Sequence, residues 1–184
     1  MSETYKDNEI LNVLQKMTNR KKLSFTIGCL ERLDAALLFN NSDALLFVDT
    51  LMVMKTYIDG ATHKAEIDAL ITYIAPRCGV LHQTASGKPH LIKDQYNAHA
   101  RSYAADAIYA GAEFVYHYLA SENCPMNVMH VLENICLSQK WHAKNCSQTV
   151  DREKMWQLHF AESLLNNKEK EPVSANVVQL HKQD

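Results

Sequence analysis

The chain has 184 residues, 47% of them hydrophobic and 22% charged, with a formal net charge of −2. That length can bury a core without disulfide or metal staples, and the composition excludes a disordered chain. Its 19 basic residues face 21 acidic ones and include only five Arg, which argues against nucleic acid as a partner through a general electrostatic footprint.

Five Gly and four Pro leave little material for hairpin turns. The expected fold is therefore all-α: a compact bundle of six or seven helices joined by short turns, with one long central helix. Residues 1–166 read as a single helical domain and 167–184 as a flexible C-terminal tail.

Ile10, Leu11, Leu14 and Met17 recur at three-and-four spacing, which predicts a first helix over 5–19. A second, over 23–39, carries Ile27, Leu30, Leu33, Leu37 and Leu38. Ser42 is suited to cap a third over 43–59. That helix is the most apolar: Leu45, Phe47, Val48, Leu51, Met52, Val53, Met54, Tyr57 and Ile58 give it a stripe wide enough for burial on more than one side. A fourth, from Thr62 with Ile67, Leu70, Ile71 and Ile74, is expected to stop before Pro76. Residues 77–92, with Gly79, Ser86, Gly87 and Pro89, then read as the longest loop and the first place to look for a site.

Asp94 is expected to cap a long fifth helix reaching about Ser121. Its Ala100, Ala104, Ala107, Ile108, Gly111, Val115 and Leu119 make a face of small residues that another helix can approach closely. Pro125 opens a sixth, with Val128, Met129, Leu132, Ile135 and Cys136 inward. Thr149 is expected to cap a seventh, with Met155, Leu158, Ala161 and Leu165 as its stripe. The second, third and fifth helices are placed at the centre.

The five cysteines, Cys29, Cys78, Cys124, Cys136 and Cys146, are odd in number, and Met1 to Asn8 is polar and charged. Both features point to reduced thiols in a cytoplasmic protein. The most apolar stretch, 44–54, is interrupted by Asp49 and too short to span a bilayer, so no membrane partner is expected.

Four groupings could carry chemistry. His99, Asp106, Glu113 and His117 fall within a stripe about 40° wide on the fifth helix, a set able to bind or to move protons. It lies opposite the Ala/Gly face, where polar residues belong in any case. The pairs His63/Glu66, His130/Glu133 and His159/Glu162 each share a helical face, but di-iron bundles use the reverse order, Glu-x-x-His. Cys124, His130, Cys136, His142 and Cys146 have zinc-ligand chemistry, yet their spacing scatters them, and only His142 and Cys146 can share a face. No metal or cofactor is expected.

The fourth is Arg77-Cys-Gly-Val-Leu-His82, which resembles the Arg-x4-His motif of HEPN ribonucleases. The resemblance covers six residues. It implies an all-helical, metal-independent ribonuclease in which Arg77 and His82 are catalytic and a dimer assembles the site. Cys78 stands where that motif usually has a polar residue.

Gly-rich phosphate loops, nucleophile elbows and His-Glu-x-x-His are all missing. The favoured reading is thus a non-enzymatic module that binds another protein through a helical surface, with a homodimer also allowed. The alternatives are the HEPN-like ribonuclease and a metal-binding bundle. Met52, Met54, Met126 and Met129 with Tyr96, Tyr103, Tyr109 and Tyr116 are the expected contact surface.

Overall fold

The computed structural model describes residues 3–33, 39, 41–58, 64–87, 95–118, 125–144 and 146–167. The described residues form seven α-helices: α1 (Glu3–Lys16), α2 (Asn19–Glu31), α3 (Asn41–Ile58), α4 (Lys64–Ala85), α5 (Gln95–Tyr118), α6 (Pro125–His142) and α7 (Ser147–Asn166). No strand occurs among them. The protein is an all-α bundle, as the periodicity predicts. Of the expected tail only Asn167 is described; residues 168–184, together with His63, Asp94 and Cys124, lie outside the described residues.

The long α5 is central because its inward positions are small. Ala100, Ala104, Ala105, Ala107 and Ala112 are all fully buried. Ser138 of α6 donates a hydrogen bond to the Ala100 carbonyl at 2.8 Å, a reach that requires close backbones. A Cβ placed on Gly111 would meet Leu30 Cδ1 of α2 at 2.6 Å, so a side chain here would have to displace Leu30.

The other central helices are α2 and α6. Every residue of α2 from Lys22 to Leu30 is buried, and α6 buries Val128, Val131, Leu132, Ile135 and Cys136. The expectation that the third helix sits at the centre is corrected. Phe47, Thr50 and Met54 of α3 are buried, while Leu45, Val48 and Met52 on its other side are exposed. A wide apolar stripe here covers the core with one edge and leaves the other outside.

The basic run Arg20-Lys21-Lys22 has a structural use. Thr18 caps α2 by accepting a hydrogen bond from the Lys21 N–H. The Lys21 ammonium donates to the carbonyls of Leu165 (3.2 Å) and Asn167 (3.0 Å), closing the C-terminal end of α7 where a cation is favoured. Opposite charges also join α1 to α7, through Lys6–Asp151 at 3.2 Å and Asp7–Lys154 at 2.8 Å.

Several boundaries differ from expectation: α1 ends at Lys16, α3 starts at Asn41 rather than after Ser42, α7 has Cys146 rather than Thr149 as its N-cap, and two shifts are larger. The second helix ends at Glu31 rather than near Phe39, with the Arg32 and Leu33 N–H groups turning back to the Cys29 and Leu30 carbonyls. The fourth does not stop before Pro76: α4 continues to Ala85, so most of the expected loop 77–92 is helix. Proline inside a helix costs about 3 kcal/mol. Here the inward series Ile67, Ile74, Cys78, Leu81 and Ala85 runs through Pro76 without interruption, and its burial offsets that cost. Among the described residues no helix is long and apolar enough to cross a membrane.

Candidate functional site

Arg77 and His82 leave α4 on different sides, because five residues turn a helix by about 500°. Arg77 points to α3. Its Nε and Nη2 donate to the two carboxylate oxygens of Asp43, each at 2.6 Å. This hydrogen bond, more than the bare charge, raises the already high pKa of the guanidinium.

His82 points to α5. Its Nδ1 lies 2.5 Å from the Ser102 hydroxyl and 3.3 Å from Asp106 Oδ2. Burial pushes the Asp106 carboxyl above the usual range, with His82 and His130 pulling it back. Thus α4 brings a histidine over the polar stripe of α5. The pair His82 and Asp106 lines a shallow cavity of about 330 Å³ together with Ala75, Cys78, Gly79 and Tyr109. Cys78 is not nucleophilic there: burial, then the nearby Asp106 carboxylate, push its thiol to about 12. The arrangement fixes an imidazole through Nδ1. Ser102 is buried and touches the same nitrogen as Asp106, so the trio is not a serine-nucleophile relay.

The rest of the α5 stripe does not converge. His99 stacks on Trp141 of α6 with ring centroids 4.3 Å apart. Glu113 accepts a 2.6 Å hydrogen bond from the Tyr109 hydroxyl, which with burial lifts that phenol to about 12. His117 meets the edge of Tyr116. Among the described residues no three His, Cys, Asp or Glu side chains gather as a metal site. His130 and Glu133 stand at a separate cleft of about 490 Å³ between α1, α6 and α7, which the Asp7–Lys154 pair also lines. His142 and Cys146 are both exposed.

The expected Met/Tyr contact surface is also corrected. Met54 is buried, and Met129, Tyr109 and Tyr116 pack partly against the core. Tyr103 is half-buried, Met126 has no described side chain, and Met52 and Tyr96 are exposed. The larger exposed apolar surface is elsewhere. Leu45 (66% exposed), Val48 and Met52 (60%) fall within about 60° on the outer side of α3. On α4, Tyr73 (73%) and Val80 (46%), seven residues apart, share one outer stripe.

The α3 stripe lies on the far side of that helix from Asp43, about 140–200° round from it. On α4, Tyr73 and Val80 stand one turn either side of Arg77. The Asp43–Arg77 fork joins the first turn of α3 to the second half of α4. The sequence signal for the exposed side of α3 was present but ambiguous: an apolar stripe too wide for one buried side.

No family model, characterised protein or solved structure matches this chain.

Proposed function

We propose that this chain is a non-enzymatic protein-binding module, a small cytoplasmic inhibitor, adaptor or immunity-type protein, that holds its partner on the outward face of α3 and α4. One observation carries the reading. Of the seven large apolar side chains exposed among the described residues, five lie on these two helices. Scattered exposed apolar residues are ordinary, but Leu45, Val48 and Met52 share one stripe of α3, and Tyr73 and Val80 share another on α4; such alignment marks a contact surface. Pull-down from the native host should return one dominant protein with the wild-type chain. A Leu45→Glu/Met52→Glu variant of unchanged helicity should lose it. Recovery of the chain alone, or equal capture by both baits, refutes the reading.

A second reading, the HEPN-like ribonuclease, draws support from the contacts of Ser102 and Asp106 with His82 Nδ1. A base held through one nitrogen keeps the other free to take a proton from an attacking hydroxyl. His82→Ala should then abolish RNA cleavage by the purified chain with its helicity intact. If the wild type cleaves no RNA, this reading fails and the first is untouched.

A further inference from the structure

The cleft between α1, α6 and α7 is built differently from the surface of α3 and α4. Met129, Glu133, Cys136, Leu137 and Lys140 line it from α6, where they fall within about 100° of one another. Val150, Lys154 and Gln157 line it from α7, within about 60°. Asp7 of α1 joins Lys154 across one side, at 2.8 Å. The space of about 490 Å³ is the size of a small-molecule pocket, which combines an apolar lining with a few placed polar groups.

The apolar part is deep. Leu132, Cys136 and Val150 are buried, and Met129 and Leu137 are half-buried above them. Gln157 lies at the same depth, 1% exposed. Its Nε2 is used, donating to Glu153 Oε1 at 3.2 Å. Its Oε1 is poorly used: among the described residues the donor it meets is the Cys136 thiol, a weak one, at 4.0 Å. A buried carbonyl oxygen in that state gains from an N–H brought to it.

The charges at the rim leave one of each sign to spare. Lys154 is occupied by Asp7, and His130 Nε2 stands 3.3 Å from the Asn134 amide. Glu133 and Lys140 make no ion pair among the described residues. Seven residues apart, they are separated by about 10 Å along α6, beyond the three-or-four spacing at which such residues pair. Cys136 and Leu137 lie between them, with Gln157 against Cys136.

We infer that this cleft binds a small zwitterion with an apolar body: an apolar amino acid, or a short apolar peptide with free ends. Its ammonium donates to Glu133 and to Gln157 Oε1, and its carboxylate accepts from Lys140. Its apolar body covers Leu132, Leu137 and Val150. A lone anion or a lone cation meets one of the two spare charges, and a neutral molecule meets neither. The cleft shares no helix with the exposed stripes of α3 and α4, so the inference stands apart from the protein-binding reading.

The test is isothermal titration calorimetry of the full chain with leucine and with leucyl-leucine. Each is compared with its N-acetylated form, which lacks the ammonium, and its C-amidated form, which lacks the carboxylate. At least one zwitterion should bind at millimolar concentration or below, about tenfold more tightly than either of its blocked forms, the effect of one charged hydrogen bond. The tighter of the two distinguishes a free amino acid from a peptide as the source. Glu133→Gln should reduce the preference over the N-acetylated form, and Lys140→Gln should erase the preference over the amide. Both side chains reach solvent, and unchanged far-ultraviolet dichroism shows that the variants keep the fold.

No heat from either zwitterion at millimolar concentration overturns the inference. So does equal or tighter binding of a blocked form, because the cleft then does not read both charges. Preferences unchanged in the two folded variants overturn it as well, since binding would lie elsewhere on the chain.

Discussion

Asp43 and Arg77 form a two-pronged ion pair, 2.6 Å at each prong, that ties the first turn of α3 to α4 just beyond Pro76. Asp43 is buried and Arg77 about one-third exposed. Removing the guanidinium takes a two-pronged charged partner from a buried carboxylate. Losing one partner of a fully buried pair costs about 3–5 kcal/mol, and partial exposure of the arginine reduces this to about 2 kcal/mol for Arg77→Ala. Arg77→Lys should recover less than half, because an ammonium cannot make both prongs. Urea unfolding of the three proteins measures this. An unchanged midpoint for Arg77→Ala would show that the pair does not hold the helices together. The same measurement guards the ribonuclease reading, since lost activity in Arg77→Ala counts only when the chain remains folded.

Gly79 and Gly111 both lie inside helices, yet alanine should act oppositely at the two. At Gly79 an added Cβ meets nothing within 4 Å, so the gain in helix propensity stands alone and Gly79→Ala should stabilise by about 0.5–1 kcal/mol. At Gly111 the Cβ would come within 2.6 Å of Leu30, which is itself fully buried and has little room to move. Overpacking costs about 1–3 kcal/mol, more than the propensity gain, so Gly111→Ala should destabilise. Leu30→Val in the same chain should relieve part of that cost, a non-additivity that a double-mutant cycle detects. Additive effects would mean that the two residues do not press on each other.

How much of this was legible in the sequence depended on whether one element could be read alone. The alanine face of α5 and the start of α6 at Pro125 are local patterns, and both match the structure. The exposure of Leu45 and Met52 is not local: nothing in α3 itself says which edge of its apolar stripe the bundle covers. Pro76 misled because its effect on backbone hydrogen bonding is visible in sequence, whereas the burial of Cys78, Leu81 and Ala85 that carries the helix past it is tertiary. Likewise Asp106 could be picked out as polar on α5, but the approach of His82 from α4 required the fold.

Glu153 gives the chain a pH dependence of definite sign. It is 1% exposed, receives Arg32 Nε at 3.1 Å and Gln157 Nε2 at 3.2 Å, and has its pKa raised chiefly by burial, against the opposing pull of Arg32. A carboxyl with a raised folded-state pKa binds its proton more tightly folded than unfolded. Its contribution is therefore fully present below the unfolded value of about 4.3 and is lost as pH rises through the folded value. Glu153→Gln keeps an acceptor for Gln157 and removes this titration. The stability of the wild type relative to Glu153→Gln should fall as pH is raised through that window, read from urea midpoints at about pH 4 and 7. A difference that stays flat, or rises, contradicts the assignment.

Thiol reactivity should separate the cysteines by location. Cys29, Cys78 and Cys136 are buried; burial pushes Cys78 and Cys136 to about 12 and Cys29 well above the usual thiol range. Cys146 is exposed at the N-cap of α7. Its pKa is lowered, chiefly by the Gln148 N–H, then by the Thr149 hydroxyl and N–H. The thiolate is the reactive form, so exposure and a lowered pKa act in the same direction. In a Cys124→Ser background, a disulfide reagent at neutral pH should label one thiol rapidly, and Cys146→Ser should abolish that fast phase. The other three should react at the rate at which the bundle opens, accelerating with added urea. Two fast thiols without denaturant would mean that the shell over Cys78 or Cys136 opens far more readily than the packing of α4, α5 and α6 allows.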